Sequence, residues 1–127
     1  MATNDGYQPG NRLSLPCTAP ATPKSGDPVM VLDLPGVALV SEGEGGNLPD
    51  HTSIQTDGVW RLLVRGENAA GTGVALAVGQ TIYYDAAMND AGGAKLNGDA
   101  TNGKRFGYVL EAVASGATAR VNVKVGY

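Results

Sequence analysis

Nowhere along this chain do apolar residues recur at three- and four-residue spacing between helix-capping signals, and nineteen glycines and seven prolines punctuate it too densely for helices. What remains is a series of short runs of β-branched and apolar residues bounded by turn-forming residues. That pattern predicts an all-β fold, a small single-domain β-barrel or sandwich.

The longest such run is Thr52 to Val64, which holds the only tryptophan and is broken once, by Asp57-Gly58. Because this dipeptide tolerates positive φ, the run reads as two strands. With a two-residue turn, Gln55 would face Trp60 and Ser53 would face Leu62, while Ile54 faces Arg61. A bulge in one bent strand is the other possibility. In either case Trp60, Leu62 and Val64 form a core face, with Trp60 near the centre of the core.

In chain order, residues 1–25 are dominated by Asn, Pro, Gly, Ser and Thr and read as an extended N-terminal arm, with the β domain spanning 26–127. Only Leu13, Leu15 and Cys17 alternate there, and Pro16 is among the prolines that hold the arm extended. Val29 to Leu32 and Val37 to Val40 read as two buried strands around Asp33-Leu34-Pro35-Gly36. Ser41 to Asp50 has no apolar period and is predicted to be a mobile loop. Val78 to Asp85 alternates, placing Ile82 and Tyr84 on one face. Ala86 to Lys104 lacks large apolar residues and is expected to be a long loop outside the core. Phe106 to Val113 and Thr118 to Val125 read as a hairpin, the second strand burying Val121, Val123 and Val125 and exposing Arg120, Asn122 and Lys124. The predicted core is therefore Ile54, Trp60, Leu62, Val64, Ile82, Tyr84, Val121 and Val123.

A chain of 127 residues can bury its own core, so neither a disulfide nor a metal is needed to explain folding. The single Cys17 forms no internal bridge and suits synthesis in a reducing cytoplasm. A net charge of −3, with nine basic residues scattered singly, gives no basic stripe and argues against nucleic acid as a partner. No apolar run approaches about 18 residues and no charged-then-apolar leader follows Met1, so neither a membrane span nor secretion is expected.

The chemical motifs are weak. Gly98 to Arg105 nearly spells a phosphate-binding loop, but Arg105 stands where Ser or Thr should hold magnesium, and Phe106 to Val109 continues as a strand where a helix is required. A glycine-rich surface turn is the simpler account. His51 is the only histidine, without neighbouring His or Cys at metal-ligand spacing and without a Gly-x-Ser-x-Gly elbow elsewhere. The pairs Glu42 and Glu44, and Asp85 and Asp90, lie in polar stretches and are expected to be solvated. No cofactor, metal or catalytic residue is assigned.

The order Gly26-Asp27-x-Val29, Pro35-Gly36-Val37-Ala38, Asp57-Gly58-Val59-Trp60, Val78-Gly79-Gln80-x-Ile82-Tyr83-Tyr84-Asp85 and Gly107-Tyr108, with Ala112 to Val125 closing the chain, resembles the small head decoration (cement) proteins of tailed bacteriophages. The resemblance spans about Gly26 to Val125. It implies a compact β domain without catalysis that coats the outside of an icosahedral head, usually as a homotrimer bound to the major capsid protein. It also implies synthesis in the bacterial host cytoplasm and residence on the outer surface of the virion. On this view the arm, through Leu13, Leu15, Pro16 and Cys17, would contact the capsid or a neighbouring protomer by strand addition. The alternative is a carbohydrate- or host-surface-binding β module of a virion.

Overall fold

A computed structural model of the chain describes residues 11–68, 72–88, 90 and 92–126. Its described residues form nine strands and no helix: β1 (Arg12–Pro16), β2 (Pro28–Val31), β3 (Leu34–Ala38), β4 (His51–Gln55), β5 (Val59–Arg65), β6 (Thr81–Tyr84), β7 (Leu96–Asn97), β8 (Lys104–Val109) and β9 (Thr118–Val125). The fold is all-β. Strands β5-β7-β6-β8-β9 close into a barrel, and β1-β4-β3-β2 form a second, four-stranded sheet.

The alternation of β9 turns Val121, Val123 and Val125 into the barrel and leaves Arg120 and Lys124 exposed. Strand β5 pairs antiparallel with it over seven residues, from Val59 opposite Lys124 to Arg65 opposite Thr118. Leu62 and Val64 therefore enter the same core from the neighbouring strand. On its other side β9 meets β8, with Gly107 opposite Val125 and Val109 opposite Val123. A Cβ added at Gly107 would lie 2.0 Å from the Lys124 carbonyl oxygen, so this close approach requires glycine. The register between β6 and β8 slips at this point: Ile82 faces Gly107 but Tyr83 faces Arg105. Phe106 is the skipped residue, and the irregularity turns its ring into the barrel, where it is the largest fully buried side chain.

The four-stranded sheet is buried on both faces where it meets the barrel. In β2, Val29 faces a small cluster with Cys17, Ala38 and Ile54, whereas the adjacent Met30 joins the barrel core. In β3, Val37 and Ala38 divide the same way. Consecutive apolar residues are needed because both sides of this sheet are covered. The chain leaves β1 at one edge and returns at the other, where the Met30 amide donates to the Ala19 carbonyl at 2.9 Å. The sheet thus curls around Cys17.

Several expectations require correction. Asp57-Gly58 does not close a hairpin: β4 belongs to the four-stranded sheet and β5 to the barrel, so the facing pairs across the break do not form. Gly58, at φ 94°, bends the chain between them, and its carbonyl accepts from the Val125 amide at 3.0 Å. Ile54 consequently packs in the smaller cluster, away from Leu62, Val64, Ile82, Tyr84, Val121 and Val123. Trp60 is not central. It is half-buried at the rim of the barrel core, because its Nε1 donates to the Asp57 carbonyl at 2.9 Å and so keeps the indole at the barrel mouth. Trp60→Ala is therefore expected to destabilise by about 2 kcal/mol, below the range for a fully buried ring, as a shift of the urea midpoint.

The predicted long loop between β6 and β8 also enters the core. Met88, Ala94, Leu96, Asn97 and Asp99 are buried, and β7 completes the barrel by pairing parallel to β5 and antiparallel to β6. The polar Asn97 and Asp99 are accommodated beside these apolar residues because their hydrogen bonds are made locally. The Asp99 carboxylate accepts from the Thr101 and Asn102 amides at 2.9 Å each, and from the Asn102 side chain at 3.0 Å. Those donors, led by the Asn102 amide, hold its pKa below the usual carboxylate range despite burial. The Gly98 to Arg105 stretch is thus a carboxylate-capped turn that runs into β8.

Candidate attachment surfaces

The predicted arm lies, as far as it is described, against its own chain. Strand β1 pairs antiparallel with β4 from Arg12 opposite Gln55 to Pro16 opposite His51. Leu13 and Leu15 are half-buried against the small cluster, Pro16 is exposed and Cys17 is buried within the cluster. Burial pushes the Cys17 thiol pKa up, which keeps it protonated and a poor nucleophile. These four residues are brought together, but as the edge of a sheet and its lining. Among the described residues, β1 has no strand on its outer side, so its backbone edge is what this segment offers a neighbour.

A second feature is the turn between β2 and β3. Leu32, predicted inside a buried strand, instead sits at the tip, 78% exposed, with φ at 55°. A left-handed conformation at a non-glycine residue is uncommon, and here it turns an apolar side chain into solvent. Lys104 on β8 steadies the tip, donating to the Leu32 carbonyl at 3.1 Å and lying 3.4 Å from the Asp33 carboxylate.

The third is the loop between β3 and β4. It is not a loose segment: the Gly43 amide donates to the His51 carbonyl at 2.9 Å, and the Asn47 side chain bridges Ser14 on β1 and Ser53 on β4. It exposes Leu48, at 63%, and also Glu44 and Asp50. Asp50 accepts from His51 Nδ1 at 2.8 Å, and this hydrogen bond lowers the carboxyl pKa. The lone histidine is thereby committed to its sequence neighbour.

Asp90 was expected to be solvated, yet its side chain is only 2% exposed. Burial alone would raise its pKa, but the Ala94 amide, the Thr118 hydroxyl, the Gly92 amide and the Arg65 guanidinium outweigh it, and the pKa falls below the usual range. Arg65 reaches Asp90 at 3.0 Å and also contacts Glu67, tying the loop after β6 to the barrel end. Since the folded pKa lies below the unfolded one, this contribution is complete above about pH 4 and is lost as pH falls through the folded value. Asp90→Asn is expected to cost about 2 kcal/mol at pH 7, with the difference from the unsubstituted protein shrinking toward pH 2. Urea midpoints of both proteins across that range would check it.

A cleft of about 300 Å³ separates residues 20–28 from the barrel, with Asp27 on one wall, Lys95 and Arg120 on the other, and Tyr84 between. Burial pushes the Tyr84 pKa up to about 12, so its hydroxyl is neutral at physiological pH. Among the described residues, no group of three His, Cys, Asp or Glu side chains is placed to hold a metal ion. Among the described residues, no helix is long and apolar enough to cross a membrane. What the described residues present is an open strand edge and apolar side chains at exposed turns, Leu32 and Leu48 among them, on a hydrogen-bonded β scaffold suited to contact with other proteins.

The family model for phage cement proteins matches residues 7–125 of the chain. The chain belongs to the phage cement protein family. As a phage cement protein it is associated with the capsid of the virion, in a decoration role. No curated protein and no solved structure matches it.

Proposed function

We propose that this cement protein binds the outer surface of the assembled phage head across the seams between major capsid protein subunits, and stabilises the shell without catalysing a reaction. The observation that carries this reading is the match to the phage cement family over residues 7–125. Binding to the assembled shell alone stabilises it by mass action. A homotrimer would multiply weak contacts through effective concentration. The open edge of β1 and the Leu32 tip are the surfaces proposed to meet the shell, with Pro16, Leu13 and Leu15 flanking that edge. Synthesis in the host cytoplasm accords with a single, buried, reduced cysteine.

The test is to add the purified protein to undecorated, expanded heads. Saturable occupancy at a fixed ratio to the capsid subunit, with greater survival on heating, is expected. Heads that neither take up the protein nor gain heat resistance would reject the reading.

A further inference from the structure

The nine basic residues are scattered in sequence, but the barrel gathers four of them. Position 59 of β5 lies opposite 124 of β9, and 124 opposite 108 of β8. The outward side chains along these strands include Arg61, Arg120, Lys124 and Arg105. Tyr108 sits among them, half-buried, with the Arg105 guanidinium 5.5 Å and the Lys124 ammonium 6.0 Å from its ring centre. Glu111 is bound to this group through Arg61, at 3.3 Å. This face is therefore basic on a protein whose net charge is −3. It also has apolar content: Val59, at the end of the same row, is 55% exposed.

The loop between β3 and β4 has the opposite character. Leu48 is exposed on a segment that also carries Glu42, Glu44 and Asp50, with its backbone held by hydrogen bonds from Gly43 to His51, Glu44 to Ser41 and His51 to Leu48. An apolar centre with a charged rim is the usual anatomy of a protein interface. A loop already held in shape loses little entropy on docking.

We infer that the basic barrel face around Tyr108 docks the acidic Leu48 loop of a second copy of this chain. Leu48 would lie against Tyr108 and Val59, and the loop carboxylates against Arg61, Arg105, Arg120 and Lys124. The two patches are different surfaces of one chain, so the contact is head-to-tail, and it closes a ring when the rotation between copies permits. The inference rests on the self-association part of the proposed function and supplies its seam.

The test uses charge reversal in the full chain, with sedimentation equilibrium at low and high salt. Arg120→Glu/Lys124→Glu and Glu42→Lys/Glu44→Lys are each expected to weaken association at least tenfold, and salt is expected to weaken that of the unsubstituted protein. The variant carrying all four substitutions sets the reversed charges of the two patches against one another, keeps the original net charge, and is expected to recover a substantial part of the lost association. Unchanged Trp60 emission would show that the barrel is intact in each. A protein that is monomeric at every concentration, a basic-face variant that associates normally, or a fourfold variant that does not recover would overturn the inference. So would a basic-face variant that associates normally but loses head binding, since the face would then meet the shell, or one that differs from the parent only in binding nucleic acid. Head occupancy measured alongside separates the two readings: association without head binding rejects the attachment role and leaves the seam standing.

Discussion

Replacing Phe106 by alanine is expected to lower stability by about 3–5 kcal/mol, a large share of the roughly 5–15 kcal/mol typical of a single domain. The ring is fully buried, and it enters the barrel from the point where the β6–β8 register slips. The void would be slow to collapse, because Gly107 is wedged against the Lys124 carbonyl and fixes β8 against β9. Phe106→Leu keeps most of the volume and is expected to cost well under half as much. Urea titration followed by Trp60 emission compares the two. An alanine variant within 1 kcal/mol of the parent would show that the ring does not support the barrel.

Where a residue's partner lies close in sequence, or its alternation is regular, the sequence predicts its place. The β8–β9 pairing and the inward valines of β9 are legible from Val121, Val123 and Val125 alone. The β5–β9 pairing is not, although it closes the barrel, since nothing local in Val59 to Arg65 specifies a partner some sixty residues on. Asp57-Gly58 carries the signal of a hairpin, and positive φ is indeed used at Gly58. The same geometry, however, serves a crossing from one sheet to another, and tertiary pairing decides between them.

Polarity misleads in the loops. Asp85 and Asp90 read as solvated, and Asn97 and Asp99 as part of a loop outside the core, but backbone amides, and Arg65 at Asp90, satisfy them inside the fold, and sequence composition does not register such partners. The attachment surfaces show the converse. Leu32 reads as part of a buried strand yet stands in solvent, and the basic face exists only because period-two geometry and strand register align residues from β5, β8 and β9. The family itself was legible in the order of short motifs, which tracks the turns and close approaches of the fold.

The N-terminal segment is where composition and structure diverge most, and removing residues 1–25 tests which governs. Read as a separable arm, the segment should be removable with little change in melting temperature. The structure leads to the opposite expectation. Truncation at Gly26 would delete β1, expose the fully buried Ile54 on β4, remove Cys17 from the small cluster, and free the Met30 amide from the Ala19 carbonyl. Each large apolar side chain returned to water costs about 1.5–3 kcal/mol, and Leu13, Leu15 and Cys17 all lose their packing along with the surface they cover. A total loss on the order of 5 kcal/mol would leave the truncated chain marginally stable at best. Because such a chain can fail to fold, Leu15→Ala and Cys17→Ser in the full-length protein provide graded versions, each expected to lower the urea midpoint. If the truncated protein and both variants melt with the full-length chain, β1 contributes nothing to the free molecule, and its pairing with β4 serves attachment alone. If all three are destabilised, loss of head binding on truncation reports unfolding, and the role of the β1 edge must be measured by substitutions at the exposed Arg12 and Pro16 instead.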